Sequence, residues 1–372
     1  MKIAIFHNYM DNIGGAEYMD LILARELNAD IYTTNIDKEK IEKMGFSTNN
    51  IYSIGEIPIN APFRQEAAYW KFRFLNIEKR FKKKYDFYII GGDWAMSGAI
   101  KNKPNLWLVC SPTREIWDLY KYTRKNIAKS WKKPIFSLWV LLRRIINKHD
   151  SKKVMKMISI SKNTQKRLKK YLKRNTSIVY PPTETNKYKC NPSKNYWLSV
   201  NRLITHKRVD LQLKAFQKLP NEKLIIVGSY EDADHFQTYA KYIKKLKPNN
   251  VEIKSWISDE ELINLYANCK GFLTTSKDED YGMNVVEAMA SGKPVIAPNE
   301  GGYKETLTNK TAVLIDKINS DKIIIAIEKI NKELIKNPNK YKEESIKQAK
   351  KFDTKVFVIN IKKEISSTLN SA

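Results

Sequence analysis

Short apolar runs alternate with amphipathic stretches along almost the whole of this chain, and that alternation limits the fold more than any other feature. In the first half the runs are KIAIF (2–6), DIYTT (30–34), DFYII (86–90), LWLVC (106–110), MISIS (157–161) and SIVY (177–180). In the second half they are YWLSV (196–200), LIIVG (224–228), VEIKSW (251–256), GFLTT (271–275), PVIA (294–297) and AVLI (312–315). Most are separated by segments of about 10–20 residues with helical periodicity. Continuous apolar strands spaced by helices predict parallel sheets covered on both faces, an α/β class.

The alternation pauses once, at YPPTETNKYKCNPSKN (180–195), which has three prolines and no apolar period. A chain of 372 residues exceeds one ordinary core and suits two domains. The expected division is 1–185 and 186–350. A closing helix over 351–372 is expected to pack back toward the first domain. Each half reads as Rossmann-like, the two facing a central cleft. Ligands of such sheets bind beyond the carboxyl ends of the strands.

The stretch DEDYGMNVVEAMASGKPVIAPNEGG (278–302) falls at such an end. Residues 277–281 form the loop after the GFLTT strand, and Gly282 opens a short helix that stops at Gly292. The first-turn amides of that helix, at Gly282, Met283 and Asn284, make an anion site. Glu279 precedes the turn and Glu287 lies one turn inside the helix, so both reach a ligand seated there. A carboxylate accepts two hydrogen bonds and suits the paired hydroxyls of a ribose or sugar ring. The first βα turn of the same half, NRLITHKRVDL, offers Arg202 and Lys207 as cations for a diphosphate. Cations, a helix end and two carboxylates on one sheet edge describe a nucleotide-sugar site. Two carboxylates at this spacing also arise by chance, and the joint placement is what favours function.

These residues resemble the retaining glycosyltransferases of family 4, with the GT-B fold, over nearly the whole chain. EDYGMNVVEAMASGKPVIAPNEGGYKETL resembles their E-x7-E signature, and the ED(F/Y)G form points to a mannosyltransferase-like subgroup. NRLITHKRVDLQLKAF resembles their diphosphate clamp, with Arg208 where a glycine usually follows the lysine. NIGGAEYMDLILARELNADIYTT resembles the N-terminal glycine loop and first helix, and ISDEELINLYANCKGFLTTS the run into the signature. The resemblance implies that Glu279 contacts the donor sugar near the reacting carbon, with Arg202 and Lys207 holding charge on the leaving group. It implies donor binding by Glu287, Gly282, Met283, Asn284, Ile257, Gly14 and Gly15. It implies no metal and no cofactor beyond a nucleotide-sugar donor, GDP-mannose being expected and a UDP-sugar the alternative. In VCSPTREIWDLY, Cys110 stands where the subgroup has histidine. Cys110, Ser111 and Arg114 are candidates for the sugar or acceptor side, although the simpler reading of Cys110 is a small residue closing a strand.

Charge is uneven. The net charge is +27, and residues 121–174 hold 19 Lys/Arg against one acid, Asp150. Within them SWKKPIFSLWVLLRRIINK mixes aromatic and aliphatic residues with cations, the composition of an interfacial helix on an anionic membrane. Trp131, Lys132, Lys133, Trp139, Arg143 and Arg144 are the expected membrane contacts. A lipid-linked or other glycan acceptor follows, at the cytoplasmic face of the cell membrane. A soluble enzyme acting on a small or anionic acceptor is the alternative. Nucleic-acid binding is disfavoured, because no RNA- or DNA-binding signature accompanies the basic run. No apolar run is long enough to span a bilayer. The N-terminal run is too short for a signal peptide, and three scattered cysteines suit a reducing compartment.

Overall fold

The computed structural model describes residues 1–58, 63–126, 130–228, 234–255 and 257–371. It divides into two compact units, one of Met1–Pro181 with Lys355–Ala372, the other of Pro182–Thr354. The closing helix Thr354–Leu369 thus lies almost entirely in the first unit, where Glu364 pairs with Lys156 at 3.2 Å. Among the described residues no helix is long and apolar enough to cross a membrane.

The first unit holds a seven-stranded sheet: β1 Ile3–Phe6, β2 Asp30–Thr33, β3 Ile51–Ser53, β4 Phe87–Ile90, β5 Asn105–Val109, β6 Lys156–Ser159 and β7 Ser177–Ile178. Their order is β3-β2-β1-β4-β5-β6-β7, every pairing parallel. The second unit has six: β8 Trp197–Val200, β9 Leu224–Val227, β10 Val251–Lys254, β11 Gly271–Leu273, β12 Val295–Pro298 and β13 Ala312–Ile315. They run β10-β9-β8-β11-β12-β13, again all parallel. Both sheets reverse strand order beside their first strand, the place where ligands of such sheets bind.

The apolar runs become strands because both faces are covered. Ile3, Ala4, Ile5 and Phe6 are all buried, as are Phe87, Tyr88, Ile89 and Ile90. β3 is not among the expected strands, because its three residues carry no apolar run and it pairs only at the sheet edge with β2. The strand expected over 251–256 ends at Lys254, and Trp256 lies outside the described residues. Helix Asp259–Asn268 starts at a half-formed capping box. Ser258 accepts from the Glu261 amide at 3.1 Å, while the Glu261 carboxylate turns to Lys254 at 2.9 Å.

Candidate active site

The loops after β8 and β11 leave neighbouring strands at the switch point of the second sheet, and they carry most of the chemistry. They are tied at the backbone. The Lys277 amide donates to the His206 carbonyl at 2.8 Å, and Thr275 Oγ1 donates to the carbonyls of Lys207 and Arg208 at 2.7 and 3.0 Å. Thr274, Thr275 and Ser276 are fully buried, so these hydroxyls work inside the fold. Across this tie Lys207 Nζ meets Glu279 Oε2 at 2.6 Å. Burial alone would raise the Glu279 pKa. The Lys207 charge and its hydrogen bond outweigh that, with help from Ser276 and His206, and hold the carboxyl at about 2. Glu279 is therefore an anion at any physiological pH, and it pairs with the Lys207 charge.

The backbone of Glu279 is gripped from the other side. Its carbonyl accepts from the Gly302 amide at 2.8 Å. Gly301 has φ +61°, and a Cβ built on it would lie 2.5 Å from the Glu279 carbonyl oxygen. Arg208 completes the frame. It occupies the left-handed region, φ 51° and ψ 40°, which explains why glycine would suit this position. Its guanidinium donates to the Thr275 carbonyl at 2.6 Å and the Ser276 carbonyl at 3.2 Å, and it pairs with Glu300. The backbone strain is thus offset by a clamp joining the Lys207 turn, the end of β11 and the Glu300–Gly302 loop.

The helix Met283–Ala290 begins at Gly282, φ +89°, where a Cβ would sit 2.5 Å from the Tyr303 ring. Gly282 supplies no side-chain cap, so the first-turn amides of this helix are offered to another acceptor. The helix is seated by Val285, Val286, Ala288 and Met289, all fully buried as their pattern predicts. Asn284 Nδ2 donates to the Val200 carbonyl at the end of β8, 2.9 Å away. That bond brings the helix to the strand that delivers Arg202 and Lys207. Glu287 accepts from Tyr266 Oη at 2.6 Å. Burial raises its pKa, the Tyr266 hydrogen bond opposing and Asp259 adding to the rise. Tyr266 carries no signal in sequence, because its ring is wholly buried against Phe272 and only its hydroxyl reaches the site. Arg202 is exposed in the turn after β8, and Ile257 is half-buried two strands away, beyond β10.

In the first unit, Gly14 and Gly15 start helix Gly15–Leu27 after β1. The Gly14 amide is engaged, donating to Glu17 Oε2 at 2.9 Å. The other Glu17 oxygen meets His7 Nε2 at 3.0 Å, and His7 Nδ1 meets Asp20 at 2.7 Å. Burial lowers the His7 pKa, but two carboxylates on one imidazole more than reverse that and push it up to about 10. A protonated histidine therefore fixes the glycine turn. This group is not among the expected site residues, and its signal is Glu17 and Asp20 three apart on the helix face above a strand-end histidine. Cys110, Ser111 and Arg114 follow β5, two strands from β1 on the same edge. The Cys110 carbonyl accepts from Thr164 at 3.0 Å, and Ser111 Oγ accepts from Arg167 at 3.2 Å. Arg114 makes two bonds to Asp118, at 2.8 and 3.0 Å.

The basic segment corrects the expected membrane contacts. Residues 127–129 of it lie outside the described residues. In helix Lys133–Ser151, Trp139 donates to Glu66 at 2.6 Å and Arg143 is buried against the same carboxylate. Arg144 donates to the Ile116 carbonyl at 2.6 Å and stacks over Trp117 and Tyr120. Arg143 is withdrawn from a membrane contact because it is buried against Glu66, while Trp139 and Arg144 stay half-buried with their polar atoms engaged. Trp131 and Lys132 do stay exposed, and Lys133 is half-buried. What the helix presents outward is apolar: Ile135, Leu138, Leu141, Leu142 and Ile145 are each more than half exposed.

Helix Phe63–Phe74 runs alongside. Its Glu66 meets Trp139 and Arg143, and its Tyr69 and Arg73 both donate to the buried Asp150 at 2.5 Å. On each helix these seam residues stand between the buried stripe and the exposed one, at 100° per residue. The exposed stripes therefore abut, and Phe63, Trp70 and Phe74 extend the apolar face.

Two parallel α/β units whose second bears this loop-and-helix arrangement define the GT-B fold of glycosyltransferases. Comparison with known proteins agrees. Residues 182–352 match the family model for glycosyl transferases group 1. Anabaena HepE, solved in complex with UDP-glucose, superposes with a TM-score of 0.73 at 18% identity, covering 99% of this chain and 100% of that one. Sucrose-phosphate synthase from Thermosynechococcus elongatus gives 0.74 at 14% identity, covering 100% of each. Among sequence relatives, the alpha-1,3/1,6-mannosyltransferase ALG2 of Candida glabrata is 24% identical over 305 residues, 66% of each chain. Mouse GDP-Man:Man(3)GlcNAc(2)-PP-Dol alpha-1,2-mannosyltransferase is 32% identical over 151 residues, 35% of this chain and 30% of that one. The chain thus resembles GT-B glycosyltransferases of the mannosyltransferase-like type, while its matches span no more than 66% of these two relatives.

Proposed function

We propose that this protein is a retaining, metal-independent mannosyltransferase, moving mannose from GDP-mannose to a lipid-linked or other glycan acceptor. The observation that carries the reading is the Lys207–Glu279 pair beside the uncapped N-terminus of helix Met283–Ala290, on one sheet edge. A diphosphate seated on that helix end takes charge from Arg202 and Lys207, the work a divalent ion does elsewhere. Glu287, held by Tyr266, accepts from the ribose hydroxyls. Glu279, released from Lys207 as phosphate arrives, accepts from the donor sugar. In the first unit, Gly14 and Gly15 are the donor-side candidates and the strand-end residues Cys110, Ser111 and Arg114 the acceptor-side ones. The apolar face of helices Phe63–Phe74 and Lys133–Ser151 sits on an anionic bilayer, at the inner face of the cell membrane.

Hydrolysis and transfer across GDP-mannose, GDP-glucose, UDP-glucose and UDP-galactose test the donor. GDP-mannose turnover with a retained anomeric configuration by NMR is the expected result. Inversion overturns the mechanism, and exclusive use of a UDP-sugar moves the reading to UDP-dependent transfer. Flotation with anionic liposomes tests the membrane reading, and a protein left in the soluble fraction at low salt removes it.

A further inference from the structure

At the rim of the exposed apolar face the last turn of helix Phe63–Phe74 opens into a pocket of about 640 Å³. Trp70 and Phe74, stacked at 5.8 Å, form one wall, and Lys71, Lys79, Arg80 and Lys101 supply the charge. No lining residue is acidic. Among the described residues none of these four cations pairs with a carboxylate. Arg80 donates to the Ile54 carbonyl at 2.9 Å, and Lys101 reaches the Phe74 carbonyl at 3.5 Å and lies over the Phe74 ring. Two of the cations converge: a Cβ built on Gly55 would lie 2.8 Å from Lys71 Nζ and 4.0 Å from Arg80 Nη2. Four cations on one pocket with no acidic lining residue favour an anion there.

The position of the pocket selects the ligand. Trp70 and Phe74 belong both to the pocket and to the apolar face, so an anion in the pocket continues into a greasy surface. We infer that Lys71, Lys79, Arg80 and Lys101 form a seat for the phosphate headgroup of an anionic lipid whose chains lie along the exposed stripes of the two helices. The inference rests on the membrane reading proposed above and adds a specific headgroup site to it. Lysines and arginine around a phosphate make charge-assisted hydrogen bonds that a carboxylate of equal charge matches less well.

Flotation with two vesicle types decides the matter: phosphatidylcholine with phosphatidic acid, and phosphatidylcholine with a fatty acid at matched surface charge. The wild-type protein is expected to prefer the phosphatidic acid vesicles by roughly tenfold. K71A/K79A/K101A should lose that preference. K152A/K153A/K173A, three exposed lysines elsewhere in the first unit, should keep it while binding both vesicles more weakly. Equal preference in the two triple variants overturns the seat and leaves the membrane reading intact. If the wild type binds neither vesicle, the membrane reading fails, and titration with glycerol 3-phosphate then decides the pocket. Lysine-dependent binding would assign it to a soluble phosphate ester, and no binding would overturn it. Circular dichroism checks that each variant is folded.

Discussion

Replacing Lys207 by methionine leaves Glu279 with its burial but without the charge that offsets it. The pair closes at 2.6 Å, with Glu279 only 20% exposed and Lys207 14%. A carboxyl held at about 2 instead of 4.5 is favoured in its ionised form by about 3 kcal/mol. Breaking such a pair from one side strands a buried charge, a loss of similar size. For a unit of this length about 3 kcal/mol lowers Tm by roughly 6–12 °C at pH 7.

The pH dependence has a definite sign. The folded pKa is depressed, so the wild-type contribution is complete above 4.5 and is lost as pH falls from 4.5 through about 2. In K207M burial stands unopposed by the lysine, and Glu279 protonates at higher pH. The deficit of K207M is therefore largest at neutral pH and shrinks on acidification. The double variant K207M/E279Q should recover most of the lost stability, since a neutral amide replaces the stranded carboxylate. Melting curves of the three proteins from pH 3 to pH 8 provide the measurement. A K207M protein melting within about 2 °C of wild type at pH 7, with a gap that does not close on acidification, would show that solvent screens the pair.

Arg208 separates backbone from side-chain effects: R208G relieves the left-handed strain but removes the clamp, whereas R208A removes the clamp and keeps the strain. R208A should be less stable than R208G by about 1 kcal/mol in denaturant titrations, and both should lose turnover relative to wild type. G282A forces a Cβ against Tyr303 at φ +89°, and it should destabilise the second unit by more than about 2 kcal/mol in the same titration. His7, raised from 6.5 to about 10, contributes stability that is complete below 6.5 and is lost as pH rises through 10. Thermal melts between pH 7 and pH 11 should show an alkaline loss in wild type that H7Q flattens, and identical alkaline limbs would dismiss the charged histidine.

The sheets and the signature helix were legible because their signals are local. A strand covered on both faces must be apolar along four or five consecutive residues, and a helix that ends at Gly292 must offer a residue able to adopt φ +67°. Twelve runs read from sequence fall on twelve strands of the structure, and the one missed, β3, is a three-residue edge with no core to announce it. The candidate site was legible by residue type but not by pairing. Lys207 and Glu279 are 72 positions apart, and only the adjacency of β8 and β11 makes them one ion pair. The same limit governs Tyr266, which reaches Glu287 from a separate helix, and His7, whose charge comes from two carboxylates on the helix above it.

Composition located the basic segment but could not orient it. A helical period tells which residues share a face; it does not tell which face meets the core. Tryptophan and arginine suit an interface and a protein interior alike, and here Glu66 and Asp150 drew Trp139, Arg143 and Arg73 into the seam between two helices. The aliphatic residues were left outside as a consequence. Backbone periodicity and turn chemistry thus belong to the sequence alone, because each depends on neighbours along the chain. Charge pairing, burial and the outward face belong to the tertiary structure, because each depends on groups that only folding brings within a few ångströms.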